Sequence, residues 1–125
     1  MSISEFIEKR FSGRSACSIN VHFFIFNKNE NTQLTHSQSG ILEEMSHHGF
    51  RIATDQVQFE SFHLMDCLEN TSFLIKVIIC NNKEEPVEIT GHILWLNRVY
   101  DDDTLNFRFG IKFKKKITIS EFIKE

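Results

Sequence analysis

Apolar and polar side chains alternate with a period of two along several stretches of the chain. The alternation is clear in residues 19–25 and 87–95, and it is clearest in residues 107–113, where Phe and Ile alternate with Arg, Gly and Lys. Successive side chains of a strand point to opposite faces of a sheet, so these stretches predict half-buried β-strands. Residues 73–80 are apolar at nearly every position, which predicts a strand buried on both faces.

Segments rich in Asn, Asp and Glu separate the predicted strands, at residues 27–31, 81–86 and 101–103. Asn and Asp bond to their own backbone and suit tight turns. Residues 40–52 indicate a strand, a tight turn and a returning strand, in which Gly49 suits either a positive φ or a close backbone approach. Short, regularly spaced strands with no helical period between them predict an all-β antiparallel sandwich or small barrel.

The two ends of the chain differ from its middle. Ser2 to Glu5 and Thr118 to Glu121 both match the capping box, in which a Ser or Thr precedes a Glu by three positions. Apolar residues follow each box at helical spacing, so we expect a short amphipathic helix at either end.

The chain of 125 residues is 41% hydrophobic and 25% charged. This composition is typical of one folded domain spanning residues 1–125. The 14 basic and 17 acidic residues give a net charge of −3, which argues against a nucleic-acid polymer as a partner. No run of 18 apolar residues occurs, so we expect no membrane insertion. Glu5 and Glu8 interrupt any signal peptide, which favours a cytoplasmic protein.

Catalytic and metal chemistry find little support in the sequence. No Ser, His and acid are arranged in a known catalytic relation, so we expect a non-enzymatic protein. His47 and His48 are adjacent, and on an extended chain their rings point to opposite faces and would not share one ion. The three cysteines have no paired spacing, so neither a zinc site nor a disulfide framework is predicted.

Two segments carry side chains suited to a nucleotide. Arg10 and Arg14 flank a Ser-Gly pair, and an arginine fork can bind phosphate and stack on a flat ring. A solvated basic loop is the other interpretation of this segment. Glu44 and Ser46 face one side of an extended chain, where a carboxylate and a hydroxyl can accept from and donate to a base edge. An ordinary polar hairpin is the alternative there.

Together these segments resemble the PilZ domain, a bacterial receptor domain for cyclic di-GMP. Its signature is Arg-x-x-x-Arg followed by Asp/Asn-x-Ser-x-x-Gly. Residues 10–14 match the first half, and residues 44–49 match the second half except that Glu44 replaces Asp or Asn. Residues 91–95 and 109–113 resemble the two closing strands of the family. The resemblance extends from residue 9 to residue 125.

The resemblance implies a six-stranded antiparallel β-barrel over residues 17–114, an N-terminal arm at 1–16 and a C-terminal helix at 118–125. Arg10 and Arg14 would then clasp the ligand's phosphates and guanine faces. Ser46 and Gly49 would line the barrel beneath a guanine, and Glu44 would bond to the guanine edge. The extra methylene of Glu44 moves its carboxylate, and a buried polar group that misses its partner costs about 1–3 kcal/mol.

The expected function is a cyclic di-GMP receptor or adaptor, which needs no other cofactor and relays the signal to a downstream partner protein. The alternative is a degenerate PilZ-like interaction module that does not bind the nucleotide. The complete arginine pair favours the receptor, and Glu44 favours the module. Lys112 begins a basic run that is either a solvated face or part of a phosphate-attracting field. Monomeric and oligomeric forms are both compatible with the sequence.

Overall fold

The computed structural model describes residues 15–79, 86–99 and 105–113. Arg10, Arg14 and the predicted helices at both ends lie outside these residues, whereas Ser15 and Ala16, the last two residues of the predicted arm, belong to the first strand. The described strands and the one described helix are β1 (Ser15–Asn27), β2 (Thr32–Gln33), β3 (Gln38–Met45), β4 (Gly49–Thr54), β5 (Gln58–Phe59), β6 (Phe62–His63), α1 (Asp66–Glu69), β7 (Phe73–Ile79), β8 (Val87–Arg98) and β9 (Phe107–Phe113).

Six long strands of the described residues form a closed antiparallel barrel in the order β1-β3-β4-β9-β8-β7. The first strand closes the barrel because both of its hydrogen-bonding edges have a partner. Residues Ser15 to Phe23 pair with β3 along one edge, and residues Val21 to Asn27 pair with β7 along the other. The predicted six-stranded antiparallel barrel is therefore confirmed.

The barrel interior is filled by the apolar positions of the period-two pattern. Val21, Phe23 and Ile25 on β1 are almost completely buried, as is Phe109 on β9. The rings of Phe23 and Phe109 meet edge to face with their centroids 5.3 Å apart, which is a favourable aromatic geometry. The residues that alternate with the buried residues of β1 face outward: His22 is exposed, and Phe24 on the same face is partly exposed.

The segment between β4 and β7 adds apolar side chains to this core. It contains the β5–β6 hairpin and the four-residue helix α1. Leu64 is fully buried, Cys67 is buried, and the ring of Phe59 lies edge-on to Phe23 at 6.1 Å. The hydrophobic pattern of the sequence predicted no element in this segment.

A β-bulge in β8 changes which side chains face outward. The pairing with β9 shifts between Ile93 and Trp95. The period-two pattern of residues 87–95 puts Trp95 on the inner face with Ile93, and this expectation is wrong, because Trp95 is 36% exposed. Leu94 lies on the outer face of the same pattern and is 58% exposed, as expected. Past the bulge, Leu96 packs against the core, because the extra residue shifts the alternation by one position. The described residues include no helix with the length and apolar character needed to cross a membrane.

Candidate functional site

Four residues form a straight row across four neighbouring strands. Glu44 on β3 pairs with Arg51 on β4, Arg51 pairs with Gly110 on β9, and Gly110 pairs with Trp95 on β8. Side chains at paired positions lie on the same face of a sheet. Their sequence neighbours Phe50 and Phe109 are buried in the core, so these four residues (the outer row) lie on the outer face.

Gly110 provides the place where the indole of Trp95 rests. A Cβ atom at Gly110 would come within 2.1 Å of Trp95 Nε1 and within 2.4 Å of Trp95 Cε2. The ring therefore lies directly against the backbone of β9, and only a residue without a side chain allows this approach. The indole remains 36% exposed, which gives the outer row a partly exposed aromatic surface.

The turn between β3 and β4 is held by the Ser46 side chain. The hydroxyl oxygen of Ser46 accepts hydrogen bonds from the backbone N–H groups of His48 and Gly49, at 3.2 and 3.3 Å. The Ser46 N–H also donates to the Gly49 carbonyl at 3.0 Å. Ser46 accepts both side-chain bonds, so its own hydroxyl hydrogen is used in neither of them.

Gly49 is required by a close approach between strands. It pairs with Lys112 on β9, and a Cβ atom at Gly49 would lie 2.0 Å from the carbonyl oxygen of Ile111. No glycine among the described residues has a positive φ. Of the two explanations that the sequence left open for Gly49, close backbone approach is therefore the correct one.

These features line one open cleft of about 450 Å³ on the outer face of the barrel. Three of the site residues predicted from sequence, Glu44, Ser46 and Gly49, lie together in it. The other two, Arg10 and Arg14, lie outside the described residues. The full lining consists of Glu44, Ser46, His48, Gly49, Phe50, Arg51, Leu94, Trp95, Gly110, Ile111 and Lys112.

Charged side chains surround one end of the cleft. The register between β3 and β4 shifts between Leu42 and Glu44. At this point the carboxylates of the consecutive residues Glu43 and Glu44 both lie near the guanidinium of Arg51. Arg51 Nε lies 3.5 Å from Glu43 Oε1, and Arg51 Nη1 lies 3.4 Å from Glu44 Oε2. Glu43 has a closer partner in Arg108, whose Nε is 2.7 Å from the same Glu43 oxygen.

A cysteine lies near these charges. Burial raises the pKa of Cys17 to about 11, with further increases from Glu43 and Glu44 and an opposing effect from Arg51. The neutral thiol donates to the carbonyl oxygen of Leu42 at 3.4 Å. Since the thiolate is the reactive form of cysteine, Cys17 is a poor nucleophile at neutral pH.

A second cleft, of about 500 Å³, contains none of the predicted site residues. Its described lining includes four glutamines and no Lys or Arg. The described residues hold no cluster of three or more His, Cys, Asp or Glu side chains suited to a metal ion. The first cleft is therefore the better candidate for an anionic, aromatic ligand.

Arg51, Leu94 and Trp95 were not among the site residues predicted from sequence. Arg51 follows Gly49 by two positions on β4, so the period-two rule could have placed both residues on the same face of the sheet. The same rule puts Leu94 on the outer face of β8. It could not place Trp95 there, because the bulge that turns Trp95 outward leaves no sign in the alternation of the sequence.

No family model and no curated protein matches the chain. Among solved structures, the barrel is similar to the Bacillus subtilis inhibitor of motility, MotI/DgrA, with a TM-score of 0.53 and 10% sequence identity. The likeness covers 90% of this chain and 46% of that one, so the chain spans about half the length of its structural neighbour. At this identity the likeness concerns the fold, and it supports the conclusion that the chain has a PilZ-like fold.

Proposed function

We propose that the protein is a receptor for cyclic di-GMP that relays the signal to a partner protein. The observation that carries this proposal is the position of Glu44, Ser46 and Gly49 in one cleft with Trp95 and Lys112. A cyclic dinucleotide presents flat purines and two phosphates. The cleft offers an aromatic face for a base, an exposed lysine for a phosphate, and a carboxylate for a base edge.

The relay part of the proposal rests on the kind of protein that shares the fold. The Bacillus subtilis neighbour is described as an inhibitor of motility, which is a regulatory role, and we extend only that regulatory character to this chain. In this proposal Arg10 and Arg14 close over the ligand from the N-terminal arm. A ligand held between this segment and the barrel would change the surface that a partner meets.

The test is a calorimetric titration of the protein with cyclic di-GMP, beside GMP as a ligand control. We expect saturable binding of the dinucleotide that is lost in Arg14→Ala and weakened in Trp95→Ala, while both variants keep the wild-type melting temperature to within a few degrees. Lys28→Ala, which changes a lysine outside the cleft, is the matched control. Absence of heat and of any thermal shift at high ligand concentration would contradict the receptor proposal.

One pair of observations favours the second function, a PilZ-like interaction module that does not bind nucleotide. Glu44 is already paired with Arg51, and Leu94 and Trp95 expose apolar surface beside it. A protein partner suits such a surface, because aromatic side chains are enriched at interfaces. Capture of the same partner by wild type and by Arg14→Ala, without nucleotide, and its loss in Leu94→Ser would support this function.

A further inference from the structure

The second cleft, of about 500 Å³, gathers every glutamine of the chain. It lies where residues 33–38, which join β2 to β3, meet residues 56–60, which lead from β4 into the β5–β6 hairpin. Two glutamines come from each segment, so the tertiary fold brings the four together. We call this site the glutamine cleft after its lining side chains Gln33, Gln38, Gln56 and Gln58.

Three of the four amides are oriented by hydrogen bonds to the backbone. Gln33 Nε2 donates to the carbonyl oxygen of Thr35 at 2.8 Å. Gln38 Nε2 donates to the carbonyl two positions before it at 3.2 Å, and Gln58 Nε2 donates to the carbonyl two positions after it at 3.5 Å. A backbone carbonyl can only accept, so these bonds use the amide nitrogen. The amide oxygens of the three side chains are left as acceptors for a ligand.

The charges of the glutamine cleft favour a positively charged ligand. The Glu60 side chain is 80% exposed, and its Oε1 lies 3.7 Å from Nε2 of His36, which belongs to the other segment. No Lys or Arg lies among the described lining residues. A ligand that enters therefore meets a carboxylate and an excess of acceptors, and it has to supply the donors and the positive charge itself.

The barrel beneath the glutamine cleft holds its lining in place. The Leu34 N–H donates to the Ile25 carbonyl at 2.8 Å, and the Ile25 N–H donates to the buried hydroxyl of Thr35 at 3.0 Å. Phe59 is buried, with its ring against that of Phe23. Leu34 remains 36% exposed and offers apolar surface to methylene groups. The acceptors are thus positioned before a ligand arrives, which lowers the entropy cost of binding.

Among the groups that a protein partner can present, arginine meets these requirements best. Its guanidinium has five N–H donors and no acceptor, and it is more weakly hydrated than the ammonium of lysine. Its methylene stem can lie on an apolar side chain such as that of Leu34. A sugar hydroxyl, by contrast, is an acceptor as well as a donor and brings no positive charge to Glu60. Arginine is also enriched at protein interfaces.

We propose that the glutamine cleft binds an arginine side chain of a partner protein, with the glutamine amide oxygens and the Glu60 carboxylate accepting from the guanidinium. The inference goes beyond the proposed function, because it concerns a different cleft and needs no nucleotide. It gives the partner a defined chemistry, namely a surface with an exposed arginine.

The experiment titrates the full chain, isotope-labelled in glutamine only, with N-acetyl-arginine amide and follows the glutamine side-chain NH2 signals by NMR. N-acetyl-citrulline amide keeps the shape and the main chain but has no positive charge, N-acetyl-lysine amide keeps the charge without the planar fork, and maltose presents hydroxyls. We expect saturable shifts with a Kd of about 1 mM, the scale for so small a ligand. The citrulline and lysine ligands should bind about tenfold more weakly.

Two variants with matched controls test the acceptors. Glu60→Gln removes the carboxylate charge and should weaken the arginine ligand by about tenfold, whereas Glu69→Gln changes an exposed glutamate of α1 outside the cleft and should leave the affinity unchanged. Gln33→Met keeps the length of the side chain and removes its amide, so it should weaken binding by about fivefold. Its control is Asn97→Leu, which removes an exposed amide of β8.

Three results would overturn the inference. Equal binding of the arginine and citrulline ligands would mean that the main chain is recognised rather than the guanidinium. Larger shifts with maltose than with the arginine ligand would identify a carbohydrate site. The third is the absence of any glutamine shift at about twenty times the expected Kd. Each would leave the receptor proposal standing, because the titration contains no nucleotide.

Discussion

Gly110→Ala is expected to displace the indole of Trp95 and to weaken ligand binding more than it weakens the fold. The new methyl carbon would lie 2.1 Å from Trp95 Nε1, against 3.4–4 Å for ordinary contact. The β9 backbone is held by strands on both sides, so the ring has to move outward by about 1 Å or more. Overpacking of this kind costs about 1 kcal/mol where a half-exposed ring can tilt away, or roughly 4 °C in melting temperature.

The loss of binding free energy is expected to be larger than this loss of stability, because base stacking on an aromatic ring contributes about 1–3 kcal/mol. Trp95 is the only tryptophan of the chain, so its fluorescence reports the position of the ring directly. We expect a shifted emission maximum in Gly110→Ala and an affinity for cyclic di-GMP that is lower by about tenfold or more.

Gly91→Ala is the matched control for this experiment. A Cβ atom at Gly91 would lie 2.5 Å from the carbonyl oxygen of Lys112, and backbone cannot tilt away as a side chain can. We expect Gly91→Ala to lose more stability than Gly110→Ala without the same change in the tryptophan spectrum. Wild-type emission and wild-type affinity in Gly110→Ala would refute the seating of the indole on β9.

Four further predictions concern contacts in and near the cleft. Gly49→Ala should lower the unfolding free energy in urea by about 3 kcal/mol or more, because its Cβ would lie 2.0 Å from a carbonyl oxygen of β9; a smaller loss would contradict the close approach. Arg108→Ala should cost about 1–3 kcal/mol in the same assay, because it removes the closest partner of Glu43. Glu44→Asp should tighten cyclic di-GMP binding in calorimetry if the added methylene weakens it, and unchanged or weaker affinity would exclude that cause. Since the pKa of Cys17 is raised to about 11 from 9.0, its contribution to stability is complete below pH 9 and is lost as pH rises towards 11; in Cys17→Ser, urea unfolding should show a smaller loss of stability over that range.

The strands could be predicted from sequence because they obey a simple physical rule, which left a sandwich and a small barrel open; the six-stranded barrel was implied by the resemblance. Val21, Phe23 and Ile25 alternate with more exposed residues and are buried, and β9 follows the same pattern. The turn after β1 could also be predicted from its asparagines: the Asn27 side-chain oxygen accepts from the Asn29 and Glu30 N–H groups, at 3.0 and 3.3 Å. In these places local preference and tertiary structure agree.

The remaining features depend on contacts between distant residues. Trp95 is exposed because β8 bulges relative to β9. The alternation within β8 alone would place the Trp95 side chain on the inner face. Leu64 is fully buried, although the hairpin and short helix around it show no period in the sequence. In the candidate site, the resemblance pointed to Glu44, Ser46 and Gly49, whereas the place of Arg51 beside Glu44 depends on the register between β3 and β4.

The pairing of strands that are distant in sequence has a consequence for how the chain folds during its synthesis. β1 pairs with β7, and β4 pairs with β9. Phe107, the first residue of β9, is synthesised roughly 50 residues after Thr54, the last residue of β4. At ribosomal rates this delay is about 3–10 s. Until then the hydrogen-bonding edge of β4 and the apolar side chains of Ile52 and Phe50 remain without β9. Contacts of such long sequence separation slow folding, so nascent chains are expected to depend on a chaperone at this stage more than the finished barrel does.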